Sequence, residues 1–347
     1  MTPAAIEASG LGRSFTVAER DAGLRSAVGV LVRRRKQQVH ALQDVGIRVE
    51  PGEIVGILGA NGAGKTTLLK LLSGLLHPST GSVRVLGHDP ARREPAYLRR
   101  MALVMGNRYQ LQWDLPAVDS FELNRAIYRI PRERFRQTRD ELVELLDLGD
   151  LVRKPVRNLS LGERMKMELV GSLLHGPEML FLDEPTLGLD VAMQRRIRTF
   201  VADYNRTRSA TVLLTSHYMA DIEALCQRVV VVHRGRVLYD GDLSQLGERF
   251  AAHRDIEVTP TGPDVDLSGF GECRPASAGR LRVRVEAARV PEVTTRLLAG
   301  GGVTDLTVTR PAIEDVIEHI FTSDAVDLRV DSADPAGHGA PATAAAP

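Results

Sequence analysis

The residues Gly59-Ala60-Asn61-Gly62-Ala63-Gly64-Lys65-Thr66-Thr67 place small side chains, one lysine and two hydroxyls in the order that a polyphosphate demands. Small residues let successive backbone N–H groups turn inward around a phosphate at the positive end of a helix. Lys65 then reaches the β- and γ-phosphates, and Thr66 offers its hydroxyl to Mg²⁺. The implied ligand is a nucleoside triphosphate. Further along, Pro177-Glu178-Met179-Leu180-Phe181-Leu182 runs into the adjacent acids Asp183 and Glu184. A buried strand with two carboxylates at its tip suits a metal-bound phosphate. Asp183 is placed to hold Mg²⁺ through water, and Glu184 to take a proton from, or orient, the water that attacks the γ-phosphorus.

These groups act together only if regular elements set them. Residues 53–58 read as an apolar strand before the glycine-rich loop, and residues 68–72 as the helix after it. Residues 101–106 and 211–215 read as further strands. Asn158-Leu159-Ser160-Leu161-Gly162-Glu163-Arg164 stands directly before a helical run at residues 165–170. Ser160 and the N–H of Gly162 would therefore lie at a helix N-terminus, where an anion is favoured.

At this point the chain resembles the ATP-binding cassette (ABC) ATPases, whose signature is usually Leu-Ser-Gly-Gly-Gln. Here Leu161 and Glu163 replace its first Gly and its Gln. The resemblance implies that Ser160, Gly162 and Glu163 meet the γ-phosphate of ATP bound to a second subunit. Glu163 adds negative charge there, which weakens nucleotide-driven dimerisation relative to Gln. It also implies that Gly188-Leu189-Asp190 is the dimer-contact loop and that His217, after Ser216, is the switch histidine. Phe15 takes the approximate place of the aromatic that stacks on adenine. The family usually has Gln at the end of the strand at 101–106, as a metal contact and a link to the membrane subunit. Here Asn107 stands there, one methylene shorter, so water fills the gap or Gln110 or Gln112 takes over; Asn107 is favoured. The following loop, with the chain's only Trp, Trp113, resembles the transmission loop.

A chain of 347 residues with 43% apolar content can bury a full α/β core. The formal charge of +1 excludes an overall basic field for nucleic acid. No apolar run approaches roughly eighteen residues, and the first ten lack a secretory pattern. The expectation is a cytoplasmic protein, peripheral on the inner face of the membrane. Cys226 and Cys273 lack metal-ligand spacing and read as reduced thiols. Residues 1–245 alternate strand-like and helix-like runs, the pattern of an α/β nucleotide-binding domain, with helices dominating about 120–175. An inserted segment at about 20–39 places Leu24, Ala27, Val28, Leu31 and Val32 on one helical face, ahead of Arg33-Arg34-Arg35-Lys36. Such a helix can lie on anionic lipid or a membrane partner, or stand as an ordinary surface helix. Residues 250–322 predict a small α+β appendage, with short strands at 256–258, 281–285 and 306–308 and helices at 290–298 and 313–321. Residues 323–347, rich in Ala, Pro, Gly and Asp, predict a disordered tail.

Residues 113–123 and 311–318 make the chain similar to bacterial drug- and antibiotic-export ABC ATPases that pair with separate six-helix permeases. The fold so implied is an α/β P-loop NTPase of ABC type with a helical subdomain and the appendage. The implied activity is ATP hydrolysis with Mg²⁺, by a dimer with itself or a close relative, driving membrane permease subunits; a monomer, with half of each site, hydrolyses poorly. Two alternatives are a polysaccharide-export ATPase and a soluble, non-transport ABC ATPase.

Overall fold

Residues buried on both faces set the centre of the molecule. Every residue of β6, Met179–Asp183, and of β7, Thr211–Thr215, is buried. Such strands need cover on both sides, the condition of a parallel sheet between layers. The computed structural model describes residues 3–18, 36–106, 109–250, 253–262, 267, 269–276, 279–300, 302–309, 313 and 315–317. Its six-stranded sheet has the order β5-β6-β7-β3-β8-β9, with β3 at Ile54–Leu58, β5 at Met101–Met105, β8 at Arg228–His233 and β9 at Arg236–Asp242. All pairs are parallel except β8 with β9. Since β6, β7 and β3 are neighbours, the loops leaving their C-terminal ends open at one edge, where α/β folds bind ligands.

One face of this sheet is covered by α1, Lys65–Leu72, which an antiparallel sheet covers in turn. That second sheet runs β2-β1-β4, from β1, Ile6–Ala18, β2, Lys36–Val49, and β4, Thr80–Val85. Leu68, Leu69, Leu71 and Leu72 share one core with Ile6, Leu11, Val45 and Ile47 on one side and Val55, Phe181, Leu213 and Val230 on the other. The one-turn α2, Pro95–Leu98, buries Tyr97 against it.

The opposite face carries α3, Ala117–Tyr128, α4, Arg132–Leu145, α5, Leu161–Leu173, α6, Val191–Arg208, and α7, Met219–Leu225. α5 starts at a full capping box. Ser160 Oγ accepts from the Glu163 N–H at 3.3 Å, and Glu163 carboxylate accepts from the Ser160 N–H at 2.8 Å. Asp190 caps α6 by accepting from the Met193 N–H at 2.9 Å.

After α8, Leu243–Phe250, a four-stranded antiparallel sheet has the order β11-β12-β10-β13. It comprises β10, His253–Pro260, β11, Glu272–Pro275, β12, Leu281–Glu286, and β13, Val303–Thr309, with α9, Val290–Ala299, packed on it. Its small core is Ile256, Val258, Val283, Val285, Val293 and Leu297 with Leu267. Ile313 and Ile317 pack instead on the core that contains Leu243 and Leu246, and Arg284 meets Asp315 at 2.5 Å. The end of the appendage is thus tied back to the main body.

The strands at 53–58, 101–106, 211–215 and in the appendage lie where the sequence places them, to within a few residues. Residues 36–39 differ: they extend β2 and pair with β1, Val39 facing Phe15, rather than belonging to a basic helix. Leu24 to Arg35 and the tail at 323–347 lie outside the described residues.

Candidate active site

α1 begins without a side-chain cap. Its N-cap is Gly64, at φ 113°, and a Cβ there would lie 2.7 Å from the Ala41 carbonyl oxygen and 2.6 Å from Leu42. Only glycine fits that turn against β2, and the first N–H groups of α1 are left for an anion. A Cβ on Gly59 would lie 2.5 Å from the Val232 carbonyl oxygen. Asn61, Gly62 and Ala63 form the arch between these points, closed by the Gly235 N–H on Ala63 O at 3.0 Å. Lys65 is buried and donates to Gly59 O at 2.6 Å and Ala60 O at 3.2 Å. Burial lowers its pKa, while the nearby Glu184 and Asp183 charges raise it.

Thr66 sits at the second position of α1, and Asp183 ends β6. The Thr66 hydroxyl donates to the two oxygens of Asp183 at 2.9 and 3.2 Å. Thr215, the last residue of β7, donates its Oγ1 to Asp183 at 2.7 Å. A hydroxyl and a carboxylate held together beside an N–H cradle fit a hard divalent cation, which takes oxygen donors and completes its shell with water and phosphate oxygens.

Glu184 follows, with φ 55°, a left-handed conformation that costs a non-glycine residue about 1–2 kcal/mol. Its N–H donates to Thr215 O and Thr215 Oγ1, both at 3.1 Å, which holds the turn. The turn swings the carboxylate to His217, whose Nε2 lies 2.8 Å from Glu184 Oε1. Gly106 packs behind it, since a Cβ there would be 2.3 Å from Glu184 O. The acid, the imidazole, Lys65, Thr66 and Asp183 therefore converge at the ends of β3, β6 and β7.

Other expected residues lie elsewhere. Thr67 occupies the first turn of α1 beside Thr66. Phe15 is half-buried on β1, its ring covered by the Arg13 guanidinium at 4.7 Å, in the strand pair that passes the loop at Ala41 and Leu42. Asn107 lies outside the described residues. The Gln110 amide donates to Leu103 O at 2.7 Å, back along β5. Ser160, Glu163 and Asp190 are engaged in the caps of α5 and α6 rather than in the convergent group, and Leu161 packs on the turn at Gly188, 3.1 Å from where a Cβ there would stand.

Sequence reasoning missed a second set of residues. Glu168 of α5 is buried and accepts from the N–H of Gln110 at 2.9 and 3.0 Å and of Leu111 at 3.1 Å. Burial pushes its carboxyl pKa up, and these two N–H groups pull the other way. One turn earlier, the Arg164 guanidinium lies between the rings of Tyr109 at 4.9 Å and Trp113 at 4.4 Å. A stripe on α5 thus grips residues 109–113. Asp221 of α7 is buried behind His217 among Ser216, Thr186 and Arg198. An acid flanked by apolar residues, as in Met167-Glu168-Leu169 and Ala220-Asp221-Ile222, is the only signal that could have marked either one.

A parallel sheet with a P-loop after one strand, and a hydroxyl-bonded carboxylate and a second acid after its neighbour but one, defines a nucleoside triphosphatase of the P-loop class. The sequence model of the family described as "ABC transporter" matches residues 42–187, and that described as "EvrA-like ABC transporter, C-terminal domain" matches residues 252–309. The chain is 35% identical over 299 residues to "Daunorubicin resistance ATP-binding protein DrrA3" of Streptomyces coeruleorubidus, spanning 82% of this chain and 92% of that one. It is 34% identical over 214 residues to "ABC transporter ATP-binding protein NatA" of Bacillus subtilis (62% and 87%). A solved "ATP binding subunit of ABC transporter" superposes with TM-score 0.58 at 26% identity, covering 71% of this chain and 93% of its own. The chain belongs to the ABC transporter ATP-binding proteins, and its reaction is the hydrolysis of ATP coupled to transport. Among the described residues, no helix is long and apolar enough to cross a membrane.

Proposed function

We propose that the chain powers an exporter: it binds ATP with Mg²⁺, closes on a second ATPase subunit, and moves separate membrane permease chains. The observation that carries the reading is the convergence of Thr66 with Asp183 and of Glu184 with His217 at adjacent strand ends. Gly59 to Thr67 hold the phosphates, and Thr66 and Asp183 hold the cation, which when bound would draw charge from the β- and γ-phosphate oxygens. Glu184 orients the attacking water and accepts its proton; His217 steadies the γ-phosphate and the acid. Phe15 stacks on the adenine and Asn107 reaches the cation's water shell. Ser160, Gly162 and Glu163 contact the ATP held by the other subunit, and Asp190 lies at the junction. The division into 1–245, 250–322 and 323–347 belongs to the same proposal, as does a place on the inner face of the membrane.

Tyr109, Trp113 and Leu115 of the loop before α3, and Leu123 and Ile127 one turn apart on α3, are exposed and supply apolar surface for a permease segment. Export is supported by the drug-resistance name of a relative that aligns over 82% of this chain. The test is to recover the tagged chain from native membranes in mild detergent and identify its partners by mass spectrometry. Co-recovery of multi-spanning chains is expected. Soluble partners alone, with ATP-dependent dimerisation intact, would leave the ATPase and remove the transport role.

A further inference from the structure

Beside the catalytic pair lies a buried acid that the mechanism above leaves unused. Asp221, in the first turn of α7, is 1% exposed. Its Oδ2 accepts from Ser216 Oγ at 2.6 Å and from Thr186 Oγ1, and its Oδ1 accepts from Arg198 Nη1 at 3.1 Å. Ser216 immediately precedes His217, and its Oγ also accepts from the Tyr218 N–H at 3.0 Å, so His217 is held on both sides. Thr186 lies two residues after Glu184 and is itself buried. Arg198 comes from α6, the helix that Asp190 caps. One carboxylate joins the turn carrying Glu184, the turn carrying His217 and the helix behind the dimer-contact loop.

We propose that Asp221 is a positioning residue for hydrolysis: by gripping Thr186 and Ser216 it fixes the approach of Glu184 to His217. This rests on the catalytic roles assigned to that pair. The chemistry of the partners makes the grip specific. Each hydroxyl has a single proton, and both protons are committed to Asp221, while a guanidinium can only donate. An asparagine would present N–H donors to at least one of these donors, so a hydroxyl must reverse or Arg198 must withdraw. With the amide nitrogen at the Oδ2 place both hydroxyls lose their acceptor and the two turns part; with it at the Oδ1 place Arg198 withdraws and α6 is freed from both turns, and neither change touches the phosphate loop.

The experiment is steady-state hydrolysis by the full chain, with kcat and KM for ATP measured separately. Asp221→Asn and the nearly isosteric Thr186→Val are expected to lower kcat about tenfold or more with KM within about twofold, and Thr186→Ser to recover most of the loss. Placed on His217→Ala, Asp221→Asn is expected to add little, because the two act through one contact. Multiplicative losses on an impaired His217→Ala, a raised KM at unchanged kcat, or Thr186→Ser as poor as Thr186→Val would overturn the proposal. A His217→Ala chain that keeps its full kcat would instead overturn the role given to the histidine, and the proposal with it. Thr186→Val carries the test if Asp221→Asn does not fold.

Discussion

Asp221 and Glu168 are both acids buried in helices on the same face of the sheet, yet they take different kinds of partner. Asp221 receives two hydroxyls and a guanidinium, all from side chains. Glu168 receives two successive backbone N–H groups of the loop leaving β5. A side-chain grip works only while each partner keeps its identity, which suits a site where a water and a phosphate must be placed within tenths of an ångström. A backbone grip fixes the path of a chain and leaves its side chains free to vary, which suits a loop that meets a partner protein. The proposed catalytic end is specified by residue type, and the proposed docking end by backbone course.

The largest expected effect is at the catalytic end. Glu184→Gln keeps the shape of the acid but not its basicity, so turnover should fall on the order of 100-fold or more while ATP still binds. Near-normal hydrolysis in single-turnover measurements would remove Glu184 as the base. On the β5 side the comparison is tested through stability. Glu168→Leu strands the buried N–H of Leu111, at about 1–3 kcal/mol, and the partly buried one of Gln110 at less, and should lower the denaturant midpoint accordingly; Glu168→Gln, which retains an acceptor, should lose less. An unchanged midpoint in Glu168→Leu would mean that the backbone grip holds nothing.

The β5 side also carries an acid-sensitive element. His175 is stacked on Tyr128 with centroids 4.0 Å apart, lies 3.0 Å from Met101 O through Nε2, and is pushed down to about 4 by burial. An unfolded histidine takes up its proton near 6.5. The unfolded chain therefore binds more protons between those values, and stability is lost as pH falls from about 6.5 towards 4, by about 3 kcal/mol in total. His175→Phe should flatten that part of the stability profile measured by denaturation at successive pH values; an unaltered slope would assign the acid loss elsewhere. Arg164→Ala removes the cation between Tyr109 and Trp113, with a cost of about 1 kcal/mol and a red shift of Trp113 emission. The smallest change expected is in Glu163→Gln, which should tighten the ATP-bound dimer a few-fold, as measured by sedimentation, by removing charge at the proposed junction.

The legible part of the molecule was the part dictated by phosphate chemistry. Gly64 and Gly59 are fixed by close backbone approach, and Lys65, Thr66, Asp183 and Glu184 by what each must do at a strand end, so type and spacing alone expose them. The first sheet was harder to see because the pairing of β1 with β2 shifts register between Ala8 and Leu11, Leu11 and Arg13, and Arg13 and Ser14. Each shift breaks the alternation by which a strand is recognised. β11 is exposed along its whole length and offers no apolar pattern at all. Asp221 and Glu168 were hard to see for another reason: apart from Ser216, their partners lie far along the chain, 23 and 35 residues away at Arg198 and Thr186 and 57 or 58 at Leu111 and Gln110, and an acid on a helix reads by itself as a solvated face. The role of Gly106 was hidden likewise, since it depends on the carbonyl of a residue in the next strand's turn.

The single tryptophan of the chain is clamped by Arg164 on the helix that Ser160 caps and whose first turn holds Gly162. Ultraviolet light absorbed at that indole is therefore emitted from one known spot, and its colour follows the charge 4.4 Å away. The unlabelled protein carries its own optical gauge at the surface proposed for the permease, and stopped-flow mixing with nucleotide can time when that surface moves.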